Sequence, residues 1–159
     1  MGCYAIGKFK CLQHTQNLDS LLLQFANIQK DQVYLAYPKI ELSNTLIYSQ
    51  KLNKKCHSNS SVIRYLFALN QYFSWKTAEQ TVQSGFVEYF FRIAQLRFPE
   101  SSYIYLALVT PLKTVKREGN ITFCNQQLQD TILISIESII SQHIIIKTSQ
   151  YYKLLSVLK

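Results

Sequence analysis

Seven residues carry side chains that commonly bind metal or serve as nucleophile and base: Cys3, Cys11, Cys56, Cys124, His14, His57 and His143. Their spacing argues against both uses. Structural zinc takes tight ligand pairs, and the four cysteines are scattered with no C-x-x-C among them. Cys56 and His57 are adjacent, and chain neighbours rarely face each other as nucleophile and base must. General acid–base work needs two acids brought close. The chain has Asp19, Asp31, Asp130 and six Glu in no recognisable constellation. Glu79, Glu88 and Glu137 fall on expected helices, where ion pairing is the simpler role; Glu88 and Arg92, four apart, are the obvious pair. No Walker loop, G-x-G-x-x-G, G-x-S-x-G or H-E-x-x-H occurs, nor the Glu-x-Lys of metal-dependent nuclease cores. The sequence reads as non-catalytic, with no metal or cofactor expected.

Charge is the stronger signal. Seventeen Lys and Arg against nine Asp and Glu give a formal net charge of +8, a balance that favours polyanionic partners. Between Glu41 and Glu79 there is no acid, while Lys51, Lys54, Lys55, Arg64 and Lys76 fall in that window together with His57. Such clusters hold phosphate backbones, and Tyr48, Tyr65, Tyr72 or Trp75 nearby would stack on unpaired bases if exposed. The plainer alternative is a solvated helix end whose lysines complement the helix dipole. A second acid-free region, residues 138–159, carries Lys147, Lys153 and Lys159 but is also apolar. Tyr89, Phe90 and Phe91 cannot all point inward from one helix. An outward member marks a protein-partner contact, and packing between two layers is the alternative.

The elements that would position these residues read as alternating strands and helices. Residues 74–109 form the organising unit. Trp75, Ala78, Val82, Phe86, Tyr89, Ile93 and Leu96 recur at steps of three and four, which predicts a long amphipathic helix, or two shorter ones broken at Gly85. A Pro-marked turn then leads into the apolar run 103–109, a central strand. Upstream, 4–11 alternates as a strand, and Leu18, Leu21, Leu22, Phe25 and Ile28 line a helix. Residues 33–37 make a strand ended by Pro38, and Ser43 or Asn44 caps a short helix. Residues 62–69 suit a helix, with strand as the alternative. Downstream, 113–119 is a charged turn and 126–142 a helix striped by Leu128, Ile132, Ile136, Ile139 and Ile140. Residues 143–148 make a strand, and 151–158 is strand or helix. The expected fold class is a single α/β domain spanning 1–159, a mixed β-sheet with packed amphipathic helices.

With 159 residues, 48% of them hydrophobic and only 4 Gly and 3 Pro, the chain has enough apolar material for one ordered core. Lys8 and Lys10 interrupt the start, so no signal peptide is expected, and no run reaches the length of a membrane span. A cytosolic or organelle-interior protein with reduced thiols follows.

From Lys54 the order is basic residues, Asn59-Ser60, the apolar stretch 62–69, a polar break, Trp75 and Ala78, Gly85, and the 103–109 strand. This order resembles the kinase-regulatory subunit family of the KEOPS complex, which makes threonylcarbamoyl-adenosine in tRNA. The resemblance covers about residues 4–109. It departs at Arg64, where the family tends to have Glu, and at Gln71 and Phe73, where a Gly and a basic residue usually follow. It implies a small mixed α/β protein, not an enzyme, that binds a kinase-like subunit and helps hold tRNA. The expectation is therefore a non-catalytic accessory subunit. Lys51, Lys54, Lys55, Arg64 and Lys76 would touch RNA, and Tyr89, Phe90 and Phe91 would meet the partner protein. A small nuclease or mobile-element enzyme, or a structural subunit of a large assembly, are the other classes the sequence admits.

Overall fold

The computed structural model describes residues 3–12, 16–26, 34–42, 44–50, 62–68, 80–94, 103–127 and 129–156. Its elements are strands β1 (Cys3–Ile6) and β2 (Lys10–Leu12), helix α1 (Gln16–Ala26), and strands β3 (Tyr34–Tyr37), β4 (Lys39–Leu42), β5 (Thr45–Tyr48), β6 (Val62–Ala68), β7 (Gln80–Ala94) and β8 (Tyr103–Leu112). There follow β9 (Thr114–Glu118), β10 (Ile121–Asn125), β11 (Ile132–Ser135), a 3-10 turn at Ile136–Ser138, β12 (Ile139–Lys147) and β13 (Tyr151–Ser156). Every strand pair among the described residues is antiparallel. The expected α/β class is therefore corrected: among the described residues this is a β-rich protein with one α-helix. No described helix is long and apolar enough to cross a membrane.

Two long strands carry the architecture. One edge of β7 pairs with β8 along Ser84 to Ala94; the other is shared, with β6 on Gln80 to Phe86 and β3 on Phe90 to Arg92. In the gap between them the Val87 carbonyl accepts from the Gln50 backbone N–H at 2.8 Å. β8 continues past Lys113 into β9, and their outer edge is likewise divided between β11 and β10. The lower half is thus a sheet in the order β2-β3-β7-β8-β11. One face is covered by the three-stranded sheet β1-β4-β5, which contributes Ile40 and Ile47 to a core with Val87, Phe90, Ala107, Val109 and Ile134. Helix α1 covers the other, burying Leu18 and Leu22 against Ala36, Phe91, Leu106 and Leu133.

The upper half closes on itself. β8 pairs with β7, β7 with β6, β6 with β12, β12 with β13, β13 with β10, and β10 with β9, which is the continuation of β8. The Asn125 N–H donates to the Lys113 carbonyl at 2.9 Å where the circuit is sealed. The result is a six-stranded antiparallel barrel. Its core draws Val62 from β6, Phe86 from β7, Leu112 from β8, Cys124 from β10, Ile145 from β12 and Leu154 from β13.

The segment expected as a long helix is strand β7 from Gln80 onward; residues 74–79 lie outside the described set. A bulge at Glu88 explains the misleading spacing. Between Val87 and Tyr89 the partner strand advances one residue while β7 advances two. Val82 and Phe86 are four apart on one face, and the extra residue puts Tyr89, three further on, back on that face. The intervals mimic a helix. The expected helix at 126–142 is corrected in the same way. Ile132, Ile134 and Ile136 alternate into one core, and the 3-10 turn makes the step of three to Ile139. The short helix expected after Ser43 is strand β5, with Asn44 in the turn at φ 64°. Of the stretch 62–69, Val62–Ala68 takes the strand alternative, and the charged turn expected at 113–119 is largely β9. The helix expected over 18–28 is α1, described to Ala26; the strand expected at 33–37 is β3, described from Tyr34; and the strand expected at 103–109 is β8.

Candidate nucleic-acid interface

Cross-strand partners share a face of the sheet, so the registers fix which barrel side chains point in and which point out. On the outer wall, Lys116, Phe123, Lys153 and Ile146 form one row, and Glu118, Ile121, Leu155 and Ile144 the next. Phe123 lies between two cations, with Lys116 Nζ 4.6 Å and Lys153 Nζ 5.7 Å from its ring centroid, and Tyr151 meets the ring edge-on at 6.3 Å. Phe123 is 9% exposed, its ring flanked by the two ammonium groups and Tyr151. Glu118, the acid of this face, pairs with Lys116 at 3.2 Å. Both side chains are more than half exposed, so the pair holds Lys116 weakly. Lys113 adds an exposed cation on the neighbouring segment, whereas Lys147 shares its row with the inward-facing Tyr152 and Cys124. The surface joins the charged 113–119 segment to the acid-free 138–159 region, two stretches far apart in sequence.

Beside this row the wall is apolar. Ile144 is 44% and Ile146 46% exposed, with Ile140 at 47% further along β12. An amphipathic strand explains why. His143 and Ile145 face the barrel interior and their neighbours face solvent.

The interior holds a polar pair. Ser84 Oγ and His143 Nε2 are 3.3 Å apart, and His143 Nδ1 is 3.3 Å from the Leu155 carbonyl. A carbonyl only accepts, so Nδ1 carries the proton and Nε2 accepts from the Ser84 hydroxyl. Burial pushes the His143 pKa below its ordinary value. The Leu155 hydrogen bond opposes that shift, and the positive charges of Arg64 and Arg117 reinforce it. A hydroxyl facing an imidazole base is the arrangement of a nucleophile, but both side chains are buried, and nucleophilic attack needs an accessible oxygen. In this position the pair satisfies two polar groups in an apolar barrel. Burial likewise pushes the Cys124 thiol up, away from a reactive thiolate. Among the described residues no three His, Cys, Asp or Glu side chains are grouped as metal ligands.

Of the residues predicted to touch RNA, Lys51, Lys54, Lys55 and Lys76 lie outside the described residues. Arg64 is on β6, half-buried and directed to the barrel interior by its register with Ser84 and Ser141. Of the proposed stacking rings, Tyr65 is fully buried, and Tyr48 is half-buried with Lys39 Nζ 5.8 Å from its centroid. Phe90 and Phe91, predicted to meet a partner, are each 1% exposed and point into opposite cores, while Tyr89 is half-buried beside the helix-covered one. The structure thus places these rings between layers, the alternative reading of that aromatic run. A helical reading of 126–142 hides the β12 isoleucines, because it puts Ile140 on a buried stripe. Their strand alternation with His143 and Ile145 is the signal that finds them.

In class, then, the chain is an antiparallel β protein whose barrel carries a basic, partly apolar outer wall. In comparison with known proteins it matches no family model, no curated protein and no solved structure.

Proposed function

We propose that this protein is a non-catalytic accessory subunit that binds RNA through the outer wall of its barrel and a partner protein through the adjoining isoleucines. The observation that carries the reading is the Lys116–Phe123–Lys153 row, with Lys113 on the adjoining segment. Lysines on a strand surface neutralise phosphates, and displacement of their side chains by a polynucleotide would uncover a ring for base stacking. The window of Lys51, Lys54 and Lys55 adds a second basic region to the same reading. Ile140, Ile144 and Ile146 support the protein contact, since exposed apolar side chains grouped on one strand are costly unless covered. A role in threonylcarbamoyl-adenosine modification of tRNA rests on residue order alone. Strand β6 stands where that reading places a helix.

The test is anisotropy with labelled tRNA and single-stranded RNA across a salt series. The Lys116→Glu/Lys153→Glu protein is expected to bind more weakly, with the log–log salt slope reduced by roughly 0.7–0.9 for each phosphate that is no longer neutralised. Replacing Lys51, Lys54 and Lys55 by Glu measures the second region separately. Unchanged affinity in both sets would remove the RNA reading.

A further inference from the structure

The inward-facing rows place a second set of cations at one end of the barrel. Arg117 shares its row with Thr122, Leu154 and Ile145, the last two of which are core residues, so its side chain belongs to the inner face of β9. Arg64 shares a row with Ser84 and Ser141 and is likewise inward. Ser84, in the Arg64 row, touches His143, which lies two residues before Ile145 of the Arg117 row on β12. Both guanidiniums act electrostatically on His143, and Arg117 also acts on Cys124. This accords with the registers, which put both arginines on the inner face. Arg117 is exposed and Arg64 half-buried, so the end they line opens to solvent among the described residues. Neither forms an ion pair with a described carboxylate.

We infer that this end of the barrel is an anion site that takes a phosphate group between Arg64 and Arg117, above the Ser84–His143 pair. Two guanidiniums from different strands present planar N–H forks to a tetrahedral oxyanion, which lysine point charges do not. Ser141 and Thr122 supply hydroxyls on the same inner rows. Barrel mouths are a recurrent place for small ligands. Arg117 and Lys116 are neighbours on β9 with opposite facing. A phosphate in the mouth and a polyanion on the outer wall are therefore separate binding events on one strand.

Inorganic phosphate titrated into the full chain, followed by calorimetry and by the His143 ring resonances, tests the site. Saturable binding that shifts those resonances is expected. Arg117→Gln should weaken it about tenfold to a hundredfold, as removal of a charge-assisted hydrogen bond does. Lys116→Gln makes the same change in net charge on the outer face and should leave phosphate affinity within about twofold. Because half-buried Arg64 bears on folding, Arg64→Lys is used there; it keeps the charge, loses the fork, and should weaken phosphate several-fold. Absence of saturable binding, equal weakening in Arg117→Gln and Lys116→Gln, or acetate binding as tightly as phosphate would overturn the assignment. Each of these results leaves the RNA measurements on Lys116 and Lys153 standing by themselves.

Discussion

Strand β7 passes through two different environments, which differ in what they bury and in the charge they carry. Beyond the Glu88 bulge it buries a ring on each side, Phe90 and Phe91 in separate cores. Before the bulge it is barrel wall and carries Ser84 into an interior shared with His143. The charged residues follow the same division. On the strands of the lower half Lys10, Lys39 and Arg92 are nearly balanced by Glu41 and Glu88, whereas on the barrel Arg64, Lys113, Lys116, Arg117, Lys147 and Lys153 stand against Glu118. Apolar burial stabilises in proportion to area, while cations on a sheet add little to stability and much to recognition. Apolar burial on two faces is concentrated below and positive charge above.

Substitutions can break that division, beginning with the largest effect. Phe90→Ala should cost about 3–5 kcal/mol and leave RNA affinity unchanged once folded, measured by denaturant titration and anisotropy. Gly85→Ala sits at the junction. A Cβ there would meet the Thr110 carbonyl oxygen and Val109 Cγ1, each at 2.6 Å. A loss of about 1–3 kcal/mol is expected, since part of the obstacle is backbone. Lys116→Glu/Lys153→Glu should do the reverse, lowering RNA affinity while changing stability by less than about 1 kcal/mol.

The buried histidine makes a finer distinction. Its folded pKa lies below the unfolded value, so as pH falls below about 6.5 the unfolded chain takes up a proton that the folded barrel refuses. Stability should therefore fall with pH from that point, by at most about 1.4 kcal/mol per unit for this one proton. The drop should level off once the folded pKa is passed. His143→Gln should remove that component, read as the difference between the two proteins' pH–stability curves. Smallest of all, Gly119→Ala should cost about 1 kcal/mol. Its φ of 59° favours glycine although the space around it is open.

The sequence showed the fold where period and element agree. Leu18, Leu21 and Leu22 spell out α1, and the run 103–109 is long and apolar because β8 is buried on both faces. It misled where a local irregularity adds one residue. The Glu88 bulge and the 136–138 turn each convert a spacing of two into three, and steps of three and four then read as helix. The basic character was legible from composition. Its location on the barrel was not, because Lys116 and Lys153 become neighbours only through Phe123, by ladders that link three separated strands.

Closure of the barrel has a further consequence for how the chain comes to be folded. As residues emerge during synthesis, β6, β7 and β8 can zip together early, but the free edge of β6 is covered only by β12 and the gap between β12 and β10 only by β13. Until the last strands arrive, the intermediate shows an open edge next to the apolar side chains of Val62 and Phe86. Pairings this distant in sequence also make folding slow, on the scale of roughly milliseconds to seconds. A nascent chain of this design is exposed to wrong pairing for longest at the surface that the finished protein seals.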